Sequence, residues 1–216
     1  MQHIILYPNF IIDAYEKPHA DLLDSQPHEF PARWNEMYGS LKIAHHAILL
    51  IGGTFIAIVL GLLQSSSLAA DYAITCLGII CVLASLFSLA YNEVYSIFMS
   101  RISNPWRGLA WVQASKDLPT SSWKSAPRLL AVPAIWMLWA SIALFAFILA
   151  EVWASSNDVS SATPSPPLLK IVLSVLVTLE LVAGVVQATY VISAFDKLCK
   201  AAIHTRGGIA HPDEIV

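Results

Sequence analysis

Charge is what this sequence has least of. Only 12% of its 216 residues are Asp, Glu, Lys or Arg, while 56% are hydrophobic. An average soluble domain carries about 25% charged residues. So large a deficit leaves too few charges to cover a watery surface, and the apolar residues gather in four long runs. A net charge of −3 offers nucleic acid no basic surface and excludes it as an expected partner. The three cysteines, Cys76, Cys81 and Cys199, lie in or beside the apolar runs and form no loop pair, so no disulfide framework is expected. Also missing are the phosphate loop G-x-x-x-x-G-K-[ST], the zinc helix H-E-x-x-H and the nucleophile elbow G-x-S-x-G. With no nucleophile or metal set in view, no enzyme is expected. The last three apolar runs contain no histidine; His45 and His46 both stand in the first. A haem or metal held between facing helices needs ligands from two of them, so no cofactor is expected.

What is present is length. The four runs cover residues 43–63, 68–99, 129–150 and 168–194, and about 20 apolar residues suffice to cross a bilayer as a helix. The fold class expected is therefore all-α: a polytopic membrane protein with four transmembrane helices in a bundle. Around the bundle, 43–194, stand an amino tail, 1–42, a connector, 100–128, and a carboxyl tail, 195–216. Pro8, Pro18, Pro27 and Pro31 interrupt the amino tail, which predicts a mostly irregular segment with a helix starting just after Pro31. In the connector, Asn104-Pro105 reads as a helix cap and first turn. The apolar residues that follow, from Trp106 to Ser115, form no clean helical stripe. Trp106, Trp111 and Trp123 suit a segment at headgroup level, and Trp136, Trp139 and Trp153 suit an aromatic belt flanking the third run. Pro133 is expected in the first turns of that run, where a proline costs little.

One carboxylate, Glu180, stands near the middle of the fourth run. Such a group is costly in lipid and should face protein or water, or be protonated. At helical spacing Gly184 and Gln187 share its face. The second run offers a matching face in Cys81, Ser85, Ser88 and Asn92. Together Glu180, Gln187, Ser85, Ser88 and Asn92 make the candidate intramembrane polar site. It reads first as hydrogen bonding between helices and second as a proton or cation site on a transport path. Gly53, Ala57 and Gly61 recur every four residues and predict a helix-packing face where another backbone approaches closely. General helix packing is favoured there over a dimer-specific contact. Cys199, beside Lys197 and Lys200, is a candidate for lipidation.

Four spans with both ends on one side is the layout of tetraspanin-like, claudin-like and MARVEL-type proteins. The Cys-Cys-Gly motif of the first and the loop cysteine pair of the second have no counterpart here. The chain resembles the third in topology alone, which implies no mechanism.

The role expected is a non-enzymatic membrane organiser or accessory subunit working by helix packing, with membrane lipids and other membrane proteins, or a second copy, as partners. The runner-up is a small transporter or channel subunit using Glu180. An organiser predicts a close-packed Glu180 and an exposed small-residue face on the first span; a transporter predicts a hydrated cavity at Glu180. The membrane expected is a plasma membrane or an endomembrane, and the sequence does not select between them. Orientation follows from basic residues. Of the 12, three lie in the amino tail, five in the connector and three in the carboxyl tail, leaving only Lys170 on the other side. Since cytoplasmic segments carry the excess of Lys and Arg, both termini and the connector are expected in the cytoplasm. In sealed vesicles, tags on the two termini should therefore share one protease sensitivity; one digested and one protected would overturn the topology.

Overall fold

Long apolar runs with little interior charge favour helix, because in apolar surroundings each backbone N–H and C=O must be satisfied within its own segment. The structure, a computed structural model, describes residues 9–65, 72–116, 125–156 and 167–204. They form six helices: α1 Asn9–Leu23, α2 Phe30–Ser65, α3 Tyr72–Arg101, α4 Pro105–Ser115, α5 Ala126–Ser156 and α6 Pro167–His204. No strand occurs among the described residues. Four of the helices, α2, α3, α5 and α6, are long and apolar enough to cross a membrane, and they pack together. The chain divides into two compact units. One comprises 1–46, 92–132 and 189–216; the other comprises 47–91 and 133–188.

The first unit corrects the amino tail. Residues 9–23 are helical rather than irregular, with Pro18 inside α1. Ile12, His19 and Leu22 form its buried side, a helical spacing that the prolines mask in the sequence. The helix expected after Pro31 is present as the start of α2, with Pro31 in the first turn, where its missing N–H costs nothing.

Helix α4 is the second correction. Asn104 caps it, its side chain accepting from Trp106 N at 2.9 Å. The helix buries Gly108, Trp111, Val112 and Ser115. Their spacing of i, i+3, i+4 and i+7 is a clean stripe. It escapes a hydrophobicity reading because two of its members are glycine and serine. Gly108 is needed: a Cβ there would meet the Trp34 ring at 2.4 Å. Trp34 is fully buried, stacks on Phe30 at 6.0 Å and donates Nε1 to Ser103 O at 3.4 Å. Trp111 is buried beside it at 6.3 Å, whereas Trp106 is exposed. Trp123 lies outside the described residues. So Trp111 is a core residue of this unit rather than a headgroup anchor.

In the second unit Val59, Ile74, Cys81, Ala143, Leu144 and Phe147 form the core. Gly78 sits tight against it; a Cβ there would lie 3.1 Å from Val59 and 3.3 Å from Phe147.

Pro133 is not in a first turn, because α5 begins at Ala126; Pro127 holds that place. An interior proline deprives the carbonyl four residues earlier of its donor. That carbonyl belongs to Leu129, and the Tyr95 hydroxyl donates to it.

Helix α1 is pinned to α4 by a buried hydrogen bond, His19 Nε2 to Ser115 Oγ, 2.9 Å. Ser115 gives its own proton to Val112 O at 2.6 Å, so the imidazole must donate through Nε2. Burial pushes the His19 pKa down. The unfolded chain then binds the proton more readily, so the contribution of His19 to stability is complete above its ordinary pKa of about 6.5 and falls as pH drops below it. Corrected for the slower intrinsic exchange at low pH, the protection of α1 amides should fall between pH 7.5 and pH 5, and a His19→Gln variant should lose that dependence. Equal pH dependence in both proteins would remove His19 as the cause.

Candidate functional site

The polar residues expected to carry chemistry occupy α3 and α6, and the structure gives most of them a definite partner. On α3, Cys81, Ser85, Ser88 and Asn92 are all buried, as their shared face requires. Cys81 Sγ donates to Ala140 O at 3.4 Å, and Ser88 Oγ to Pro133 O at 2.7 Å. Both acceptors are α5 carbonyls, so this stretch of α3 is fastened to α5 by side chain–backbone bonds. Ser85 Oγ is buried with no hydrogen-bond partner. Asn92 belongs to the first unit, apart from the others. There its Nδ2 donates to His45 O at 3.1 Å, and its Oδ1 has no partner.

On α6, Gln187 and Gly184 turn into the second unit. Gln187 Oε1 accepts from Trp136 Nε1 at 2.9 Å, and Gly184 O accepts from the Tyr91 hydroxyl at 2.8 Å. Gly184 is a point of closest approach: a Cβ there would fall 2.3 Å from the Phe87 ring. Phe87 in turn packs on Trp136, ring centroids 4.9 Å apart. Tyr91, Trp136 and Gln187 thus form a polar seam edged by aromatic rings. Trp136 was expected in an aromatic belt; it is buried and serves as an internal donor instead. Trp153, at the other end of α5, is exposed as a belt residue would be. Nothing in the sequence flagged Tyr91 as a partner for a glycine carbonyl; a Tyr one turn from the Ser88 position was the available signal.

Glu180 is half-buried, and its Oε2 is enclosed with no hydrogen-bond partner. It lies within electrostatic reach of Cys81. Ser85, expected as a partner, is not bonded to it. The five candidate polar groups therefore divide: Gln187, Ser88 and Asn92 hold helices, while Glu180 and Ser85 keep unpartnered oxygens.

The expected packing face on α2 is placed differently. Gly53, Ala57 and Gly61 are exposed, and a Cβ at Gly53 or Gly61 would meet nothing within 4 Å. The close approach made by α2 inside its unit uses the adjacent Gly52, whose added Cβ would lie 2.9 Å from Leu89. The small-residue face therefore packs on no other described part of the chain. Glu93 is exposed. The side chain of Cys199 lies outside the described residues. No group of three or more His, Cys, Asp or Glu able to hold a metal occurs among the described residues.

What fold and site define together is a helical protein with four apolar helices of membrane-crossing length, joined by hydrogen bonds from side chains to helix carbonyls. Comparison of the chain with protein families, with curated proteins and with solved structures finds no match.

Replacing Gln187 by Leu leaves Trp136 Nε1 buried without an acceptor, which should cost about 1–3 kcal/mol. The thermal midpoint in detergent should fall, and a further Trp136→Phe change should recover part of the loss. If Gln187→Leu unfolds at the wild-type midpoint, the seam does not hold α5 to α6.

Proposed function

We propose that this chain is a multi-pass integral membrane protein whose termini and 100–128 connector face the cytoplasm, and that it acts as a non-enzymatic organiser or accessory subunit. It works by offering a helix face to another membrane helix, from a partner protein or a second copy. The observation that carries this reading is the exposed Gly53-Ala57-Gly61 face of α2. Small residues at four-residue spacing allow two helices in lipid to approach until backbones touch, and that contact supplies the packing energy. A large side chain covers lipid-facing surface equally well, so lipid alone gives no reason for three small residues in register. The distribution of Lys and Arg supports the orientation. The polar seam supports the organiser role, since Gln187, Ser88 and Tyr91 are engaged in holding helices rather than lining a path.

A second reading, a small transporter or channel subunit, rests on the unpartnered oxygens of Glu180 and Ser85. It requires water at Glu180. A Glu180→Gln variant in proteoliposomes separates the two. The organiser keeps its partners and its thermal midpoint, whereas a transporter loses ion flux while folding normally.

Cysteine cross-linking tests the helix face directly. In native membranes, Ala57→Cys should form an oxidant-induced covalent adduct with a second copy or another protein. Leu176→Cys, exposed on α6 but outside any small-residue stripe, should not. Gly53→Ile should reduce the Ala57→Cys adduct at least fivefold. Equal adducts at Ala57 and Leu176 would mark random collision and defeat the proposal.

A further inference from the structure

Helices α1 and α2 enclose a cleft of about 520 Å³ in the first unit, within the size range of small-molecule sites. Its lining is ordered by depth along α2. The outer part carries Lys17 and Asp21 from α1 with Arg33 and Glu36 from α2, two cations and two anions. The inner part is apolar: Met37, Leu41 and Ala44 from α2 and Leu130 from α5. From Glu36 to Ala44 the cleft follows α2 for about 12 Å.

The apolar end coincides with the start of the membrane-crossing stretch. Lys42 is the last charged residue of α2, and Arg128 the last on α5 before Glu151; Ala44 and Leu130 each stand two residues beyond. A molecule lying in this cleft has its polar end among four charges and its apolar end pointing along the bilayer-forming part of the helices.

We propose that the cleft binds the head and upper chains of a phospholipid whose head group carries both a phosphate and a primary ammonium, of the phosphatidylethanolamine type. The charge balance favours a zwitterion over an anionic lipid, since Asp21 and Glu36 would repel added negative charge. Arg33 uses one N–H toward Asp21 O at 3.3 Å and one toward Glu29 Oε2 at 3.0 Å. Three of its five donors remain for a phosphate, and Lys17 supplies a second cation. The ammonium end has its own acceptors in the Asp21 and Glu36 carboxylates. They accept hydrogen bonds from a primary ammonium and none from a quaternary one, which separates ethanolamine from choline. Burial pushes the Tyr15 pKa up, so at the cleft wall its hydroxyl remains a donor.

This site requires the membrane placement proposed above but not the organiser role, since it involves neither the Gly53 face nor Glu180. The full chain would be loaded in nanodiscs containing equal phosphatidylethanolamine, phosphatidylcholine and phosphatidylglycerol, released in the gas phase, and its retained lipids identified by mass. One ethanolamine lipid per chain should be retained, at least fivefold over either competitor. Ala44→Phe, which fills the apolar end, should abolish retention, and Lys17→Gln should reduce it several-fold; helical circular dichroism reports whether each variant folds. Soluble glycerophosphoethanolamine at millimolar concentration should not displace the lipid. Equal retention of all three lipids, preference for the glycerol lipid, unchanged retention in both folded variants, or displacement by the chainless head group would each overturn the proposal.

Discussion

Within an apolar surround a helix carbonyl that loses its own donor has to be supplied with another, because no water is at hand to replace it. Pro133 creates that situation at Leu129 O, and Tyr95 resolves it from α3. In the second unit side chains of α3 likewise donate to carbonyls, here ones with no proline four residues on. Ser88 reaches Pro133 O, Cys81 reaches Ala140 O, and Tyr91 reaches Gly184 O. In each case a side-chain proton on α3 goes to the backbone of another helix. Apolar packing against lipid distinguishes poorly between one helix orientation and another, since lipid tails are as apolar as leucine. Directional bonds of this kind fix the rotation of α3 relative to α5 and α6 within the unit where packing alone would leave it free.

The first unit solves a different problem. Part of its core is aromatic, with Trp34 stacked on Phe30 and tilted against Trp111. Ring faces pack well only if a partner backbone comes very near, and Gly108 makes that possible. The imidazole of His19 meets Trp111 edge-on, centroids 6.1 Å apart. Helix α1 is held by a few specific contacts of this type rather than by a broad apolar face. That is why a single proton on His19 has leverage over it.

Much of the architecture was legible because length and absence of charge are strong signals. The four long helices follow from the apolar runs, and the cap of α4 follows from Asn104-Pro105. The inward turn of Gln187 and Gly184 followed from helical spacing with Glu180. What escaped notice did so for identifiable reasons. Helix α1 hides behind Pro18, which interrupts its hydrogen bonding without ending it. The buried stripe of α4 is half glycine and serine, so hydrophobicity underrates it. Trp136 sits where a belt residue would, and only its neighbour Gln187, 51 positions away, converts it into a donor. On α2, Gly52 and Gly53 are adjacent in sequence but face different surroundings. Spacing alone chose the wrong one as the internal contact.

The bond that secures α1 joins residues 96 positions apart. A ribosome adds roughly 5–20 residues each second, so His19 emerges about 5–20 s before Ser115 exists. Throughout that interval the apolar helices α2 and α3 are made while α1 has no α4 to pack against. The nascent chain must therefore pass through a stage in which its first helix is a sticky, unpartnered end. Chaperone engagement during synthesis would fall most heavily on that stage.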